Sequence, residues 1–255
     1  APKWFDKNLE LSNEDNFDQL RRALQSASEL YRGFGQATPF GLYRGCYDEQ
    51  IRRMAATGDG PLVACYGSAL LDRAILDALC RLEGVSFFEA LRANRPVVEC
   101  EDLDMTPFLA ALRPATHVHA RHTVGLVDPI RENPVPVGDG LPETLMEVIA
   151  RYGHRYFKIK VGGNLDADLA RLKEIAAVLD TIDGDYKLSL DGNEQYQDVD
   201  GVVALLDGIA GEPALRRFAE AILFLEQPIS RAVALDRDVR ALSGRKPVII
   251  DESDA

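Results

Sequence analysis

The chain has 255 residues, of which 46% are hydrophobic and 27% are charged, as is ordinary for a globular protein. Its net charge of -12, from 29 basic and 41 acidic residues, argues against nucleic acid or an anionic membrane as the main partner. The four cysteines form no C-x-x-C pair, which disfavours a zinc site, a redox motif and a disulfide scaffold. Reduced thiols and a cytoplasmic location are therefore expected.

The first helix is predicted close to the start of the chain. Ser12 or Asn13 can cap it, and apolar residues then recur at helical spacing as far as Tyr31. Residues 33–46 are rich in glycine and aromatic side chains and are predicted to form a loop.

Two further helices are predicted before residue 95. One is expected to run from about Ser68 to a stop at Gly84, because glycine commonly ends a helix in the left-handed conformation. Ser86 and Glu89 then have the spacing of a capping box, which predicts the start of the next helix.

After residue 96, short β-rich runs alternate with longer helical patterns. This alternation is typical of right-handed crossovers joining the strands of a parallel sheet. The predicted strands lie within residues 117–126, 156–163, 187–193, 222–228 and 247–253.

Residues 183–194, DGDYKLSLDGNE, offer two interpretations. Several oxygen-bearing side chains stand at the ligand positions of an EF-hand calcium loop. However, Lys187 stands where a ligand oxygen is needed and Leu188 stands where the loop requires glycine. The segment is therefore interpreted as a strand that ends in Asp191 and is followed by a turn.

Ionisable residues stand at the ends of four predicted strands. They are Lys158, Lys160, Asp191, Glu226 and Asp251. In a closed parallel barrel these strand ends would meet at one mouth, whereas an open doubly wound sheet binds ligands between two strands at a switch point. Because successive strands each contribute a group, we expect a TIM-like barrel. Strand alternation places Ile222 on the face of the carboxylates and Leu223 on the face of the helices.

The predicted strand-end groups indicate a metal site with a base beside it. Three carboxylates in one space repel one another, and a hard divalent cation such as magnesium relieves this repulsion. Lys158 and Lys160 point into the same space and are expected to lower each other's pKa. A lysine with a pKa of about 7 to 8 can act as a general base.

These motifs together resemble the enolase superfamily, in its muconate lactonizing enzyme and mandelate racemase branches. The similar segments are KIK at 158–160, DGNE at 191–194, EQP at 226–228 and DES at 251–253. The resemblance implies an α/β protein with a capping domain in residues 1–100 and the first part of a (β/α)7β barrel in residues 101–255. The capping domain's first strands and the barrel's later strands are expected to lie beyond the two ends of this sequence.

The resemblance also implies a role for each residue of the site. Asp191, Glu226 and Asp251 would bind one magnesium ion. Lys160 would be the acid/base, while Lys158 would lower the pKa of Lys160 and meet the substrate carboxylate. Asn193 would hydrogen-bond the substrate. The implied activity is removal of the α-proton of a carboxylate through a metal-stabilised enediolate, leading to racemisation or epimerisation, cycloisomerisation or dehydration. A homo-oligomer is expected.

Two other functions compete with this interpretation. His117 and His119 form an H-x-H pair that could end a first barrel strand, where amidohydrolases bind zinc. The alternative for these histidines is a polar strand start. A non-catalytic protein on the same scaffold is the second rival, and Lys160 speaks against it because a binding protein needs no base. Arg121 and Thr123 follow on one strand face and could line the site.

Overall fold

The computed structural model describes residues 2–254, which form two compact units. The first unit ends at Thr116, and the second comprises His117–Asp254. No helix in the part of the chain that the structure describes combines the length and the apolar character needed to cross a membrane.

The first unit is helical. A 3₁₀ turn at Pro2–Trp4 precedes α1 (Asn13–Phe34), α2 (Pro39–Ala56), α3 (Pro61–Glu83), α4 (Phe87–Arg92) and α5 (Met105–Ala111). The three long helices enclose a small core that includes Leu20, Met54 and Val63. Helices α1 and α3 approach closely because Gly67 lies against the Ala23 carbonyl, where a Cβ atom would collide with the backbone.

The predicted helix ends are largely confirmed in this unit. Ser12 caps α1 in a capping box, Ser86 and Glu89 form the capping box of α4, and Gly84 ends α3 with φ 66°. Helix α3 nevertheless begins at Pro61, earlier than the predicted Ser68.

The predicted loop at residues 33–46 is wrong, because most of it belongs to α2. Thr38 caps this helix by accepting a hydrogen bond from the Gly41 amide, and Pro39 occupies its first turn, where proline is favoured. The Phe34 ring packs directly against Gly45, where a Cβ atom would overlap the tip of the ring in its present position. Tertiary packing thus outweighs the low helix propensity of glycine.

The second unit is built on five parallel strands in the order β1-β2-β3-β4-β5. The strands are β1 (Arg121–Val124), β2 (Tyr156–Lys160), β3 (Lys187–Asp191), β4 (Ile222–Glu226) and β5 (Val248–Ile249). The helices between and after them are α6 (Leu145–Tyr152), α7 (Leu165–Leu179), α8 (Val199–Gly211), α9 (Arg216–Ala221), α10 (Arg231–Ala234) and α11 (Arg240–Ser243), with a 3₁₀ turn at Pro213–Leu215.

The two faces of this sheet differ in character. Apolar side chains of one face pack with the helices in the main core, among them Phe157, Ile159, Leu188 and Leu190. The residues that alternate with them in β2 and β3 include the lysines, Ser189 and Asp191. This alternation confirms the predicted parity of β2 and β3.

The predicted parity is wrong at the start of β4. Leu188 pairs with Ile222, but Ser189 pairs with Phe224, so Leu223 is an extra residue at a register shift. Ile222 is therefore buried in the core, whereas Leu223 is 42% exposed. From Phe224 onward the strand returns to the predicted parity, which leaves Glu226 beside Asp191.

The α/β class and the parallel sheet are confirmed by these strands. Their order follows the sequence and has no reversal, so these five strands contain no switch point of the doubly wound kind. The closed barrel and the domain boundary at residue 100 stay predictions.

Candidate active site

Three neighbouring strand ends bring the predicted ionisable residues into one row. Lys160 pairs with Asp191 in the register of β2 and β3, and Asp191 pairs with Glu226 in that of β3 and β4. Asp191 is fully buried and Glu226 is 6% exposed. Two carboxylates this deeply buried need compensating positive charge.

Lys158 supplies that charge by bridging the two carboxylates. Its Nζ lies 2.6 Å from Asp191 Oδ2 and 2.6 Å from Glu226 Oε1. These two oxygens are therefore separated by no more than twice that distance. Lys160 Nζ lies 2.6 Å from the same Asp191 Oδ2. The four residues form one connected ionic cluster at the carboxyl ends of β2, β3 and β4.

The expectation that the two lysines lower each other's pKa is wrong for Lys158. Burial lowers the pKa of Lys158, but the hydrogen bonds to Asp191 and Glu226 together outweigh burial, so its pKa is raised. Lys158 is held as a cation because the carboxylates on the neighbouring strands contact it directly.

Arg121 extends the cluster from β1. Its Nη1 donates to Ser189 Oγ at 3.2 Å and lies 3.7 Å from Glu226 Oε2. Thr123, two residues on, pairs with Lys158 in the strand register. Both residues thus stand beside the cluster, as predicted from their shared strand face.

Asp191 and Glu226 suit a hard divalent cation in their chemistry and position. Carboxylate oxygens are the ligands that such an ion prefers, and the Lys158 ammonium group contacts one oxygen of each residue at the same time. Glu226 Oε2 is buried and makes no hydrogen bond within residues 2–254. A buried carboxylate oxygen with spare bonding capacity is an appropriate metal donor.

Asp251, the third predicted ligand, is not gathered with the other two. It follows the short β5, and its backbone amide donates to Gln227 Oε1 at 3.0 Å. Within residues 2–254, no three His, Cys, Asp or Glu side chains form a group that could hold a metal ion. The structure therefore assembles two of the three carboxylates, and the complete ligand set stays a prediction.

Asn193 orients Asp191 through the turn that follows β3. Its backbone amide donates to Asp191 Oδ1 at 2.8 Å, and its side-chain amide donates to Glu252 Oε1. Glu252 is buried and was not singled out from the sequence, although it stands next to Asp251 in the DES motif. The predicted contact of Asn193 with substrate stays a prediction.

The segments after β3 and β4 contain strained backbone. Asn193, Glu194 and Gln227 have φ values of 43°, 67° and 34°. These values lie in the left-handed region, which residues other than glycine rarely adopt. Glu194 is fixed by an ion pair of 2.6 Å with Arg231. Strain of this kind persists where surrounding contacts hold it, and it clusters at functional sites.

Gly192 lets the turn after β3 lie directly against the backbone after β4. Its amide donates to the Glu226 carbonyl at 2.9 Å, and a Cβ atom at this position would lie 2.6 Å from Pro228 Cα. No flexible side chain is involved that could move aside.

We expect Gly192→Ala to lower the free energy of unfolding by about 2 to 3 kcal/mol through this overpacking. Gly211→Ala is the matched control, since a Cβ atom at this last residue of α8 meets nothing within 4 Å. The control should be neutral or stabilising by up to about 1 kcal/mol. Urea unfolding measures both variants, and equal stabilities would contradict the close approach.

Asp168, on α7, ties together the segments that follow β2 and β3. Its carboxylate accepts hydrogen bonds from the amides of Gly162 and Gly163, at 2.7 and 3.0 Å, and from the Tyr196 hydroxyl at 2.7 Å. Burial, followed by the contact with Asp168, raises the pKa of Tyr196. Sequence reasoning missed Asp168, for which the only signal is the glycine pair just after Lys160.

The histidine pair proposed for the rival zinc site lies at the wrong end of the sheet. His117 and His119 are exposed and precede β1, so they stand on its amino side. The His119 ring stacks on Tyr156, the first residue of β2, with centroids 4.2 Å apart. The H-x-H pair therefore does not end the first strand, and this premise of the amidohydrolase hypothesis is wrong.

Part of the chain matches a known protein family. Residues 141–255 match a family described as enolase C-terminal domain-like. The matched region begins before α6 and contains strands β2 to β5, and therefore both lysines and all three predicted carboxylate ligands. Comparisons with the curated proteins and with the solved structures found no match.

Proposed function

We propose that this chain, a member of the enolase superfamily through its residues 141–255, removes the α-proton of a carboxylate substrate with the help of magnesium. One observation carries the proposal. Lys158 bridges Asp191 and Glu226 at 2.6 Å from each, with Lys160 on the same Asp191 oxygen, at the ends of three adjacent parallel strands. Carboxylates and lysines in this arrangement combine a cation site with a proton-transferring amine.

The charges of the cluster favour an anionic substrate. Arg121, Lys158 and Lys160 contribute three positive charges, whereas Asp191 and Glu226 contribute two negative ones. Asp251, the proposed third ligand, would bring the negative charges to three, so the bound magnesium ion would make the site net positive toward a carboxylate, although the whole chain is acidic. This local sign supports a carboxylate as the substrate class.

Asp191 and Glu226 would hold the magnesium ion, with Asp251 as the proposed third ligand. When bound, the ion would stabilise the negative charge that develops on the substrate carboxylate as the α-proton leaves. Lys158, which is held as a cation, would orient the substrate carboxylate. Lys160, the acid/base, would take the α-proton on its Nζ, and Asn193 would hydrogen-bond the substrate.

We further propose that the strands close into a barrel and that the protein is a cytoplasmic homo-oligomer. The reaction would end in racemisation or epimerisation, cycloisomerisation or dehydration. An aspartate as third ligand makes the muconate lactonizing branch the better of the two comparisons for this chain.

The proposal predicts magnesium-dependent exchange of α-protons with deuterium oxide. The full chain is incubated with a panel of carboxylates, and proton NMR follows the loss of each α-proton signal. At least one carboxylate should exchange faster with magnesium than without it, and EDTA should abolish the difference. Exchange that is equally fast in EDTA, or no exchange from a chain that binds magnesium, would contradict the proposal.

A further inference from the structure

Gln227 is fully buried and immediately follows Glu226, at the point where β4 ends. Its side chain makes four hydrogen bonds. Oε1 accepts from the amides of Asp251 at 3.0 Å and Ser253 at 3.1 Å, and Nε2 donates to the Ile229 carbonyl at 2.9 Å and to Ser253 Oγ at 2.8 Å. A glutamine side chain can donate two hydrogen bonds and accept two, so these contacts use its full capacity.

These side-chain hydrogen bonds extend the contact between β4 and β5 beyond the paired backbone of the two strands. The Gln227 backbone amide donates to the carbonyl of Ile249, the last residue of β5, at 2.9 Å. Beyond that point, the Gln227 side chain provides the acceptor for the Asp251 and Ser253 amides. Strand β5 is short, but the Gln227 side chain still attaches the residues that follow it to the end of β4.

The left-handed backbone of Gln227, with φ 34°, accompanies this arrangement. A glutamine pays a conformational cost in this region, and such a conformation persists only where neighbouring contacts hold it. Asp251 and Ser253 lie on the segment that these contacts attach to β4.

We propose that Gln227 is a positioning residue that fixes the Asp251 segment against the end of β4. Its consequence for metal binding rests on the proposed function, in which Asp251 is the third magnesium ligand. Gln227 itself would touch neither the ion nor the substrate, because its polar side-chain atoms are all engaged by residues 229, 251 and 253. It would set the place from which Asp251 reaches an ion held by Glu226 and Asp191, as groups behind metal ligands commonly do.

Gln227→Met tests this role, because methionine keeps the length of the side chain and removes all four hydrogen bonds. Gln50→Met is the matched control. Gln50 is equally buried and also bonds to backbone carbonyls, those of Ala23 and Ala64 at 3.0 and 3.1 Å, but it lies in α2 of the first unit. Ser253→Ala is a milder variant that removes one of the four contacts, in case Gln227→Met does not fold.

Amide hydrogen exchange on the full-length chain reads out the positioning itself. In Gln227→Met the amides of Asp251 and Ser253 should exchange at least about tenfold faster than in the parent, while the amides of β2 and β3 keep their protection. Ser253→Ala should change them in the same direction but less. Unchanged exchange at Asp251 and Ser253 would overturn the proposal, as would an equal effect of Gln50→Met.

Manganese binding, followed by electron paramagnetic resonance, reads out the consequence for the ion. Gln227→Met should bind manganese about 10- to 100-fold more weakly than the parent, and Gln50→Met should bind it within about twofold. Parent affinity in Gln227→Met would overturn the role toward the ion. If the parent itself binds no manganese, the proposed function fails, and the amide exchange still decides whether Gln227 positions the Asp251 segment.

Discussion

Lys160→Ala should slow magnesium-dependent α-proton exchange by about a hundredfold to ten-thousandfold, the range that a general base contributes. The substitution removes the amine that is assigned to take the proton. Lys158 is not expected to replace it, because Lys158 contacts both Asp191 and Glu226 and is assigned to the substrate carboxylate instead. The rate of deuterium incorporation at saturating substrate and magnesium measures the loss.

Two companion variants separate loss of the base from loss of charge. Lys160→Arg keeps a cation beside Asp191, but arginine does not deprotonate in proteins, so this variant should be as slow as Lys160→Ala. Lys173→Ala removes an exposed lysine that pairs with Glu212 on the surface and should leave exchange unchanged. Substantial exchange in Lys160→Arg, with magnesium binding retained, would show that another group takes the proton.

Lys158→Met should lower the free energy of unfolding by about 3 to 5 kcal/mol, as breaking a buried ion pair commonly does. The variant leaves Asp191, which is fully buried, with Lys160 as its remaining ion-pair partner among residues 2–254. In the described part of the chain, Glu226 keeps Arg121 as its ion-pair partner, at 3.7 Å. Urea unfolding in EDTA measures the difference from the parent chain.

A second substitution tests whether uncompensated charge causes this loss. Glu226→Gln in the Lys158→Met background removes one of the two buried carboxylate charges left by the broken bridge and should recover at least about 1 kcal/mol. Lys173→Met breaks a surface pair instead and should cost less than about 1 kcal/mol. A double variant that is no more stable than Lys158→Met would rule out the electrostatic explanation.

Much of the sheet could be predicted because apolar side chains alternate along β2 and β3, and the carboxyl ends of parallel strands lie at one edge. That reasoning predicted the meeting of Lys158, Asp191 and Glu226. It could not predict the register shift at Leu223, because residues 222–225 are all apolar and contain no alternation that an extra residue would disturb. Nor could it predict the raised pKa of Lys158, which depends on which oxygens its ammonium touches.

Other features depend on contacts between residues distant in sequence. The helix at residues 39–56 was missed because local glycine content suggested a loop, whereas Gly45 lies inside the helix and the Phe34 ring packs against it. The role of Gln227 was also missed. Its side chain reaches the amides of Asp251 and Ser253 from a left-handed backbone, beyond the end of the short β5. Neither the left-handed backbone nor the early end of β5 can be recognised from the sequence EQP at residues 226–228.

The Lys158 bridge has a consequence for how the protein is made. Many small metalloproteins cannot complete their fold until an ion neutralises clustered ligands. Here the chain carries its own counterion, since one ammonium group already sits between the two buried carboxylates. Under the proposed function, folding therefore need not wait for the ion, and a scarcity of magnesium would leave a folded, inactive chain rather than an unfolded one.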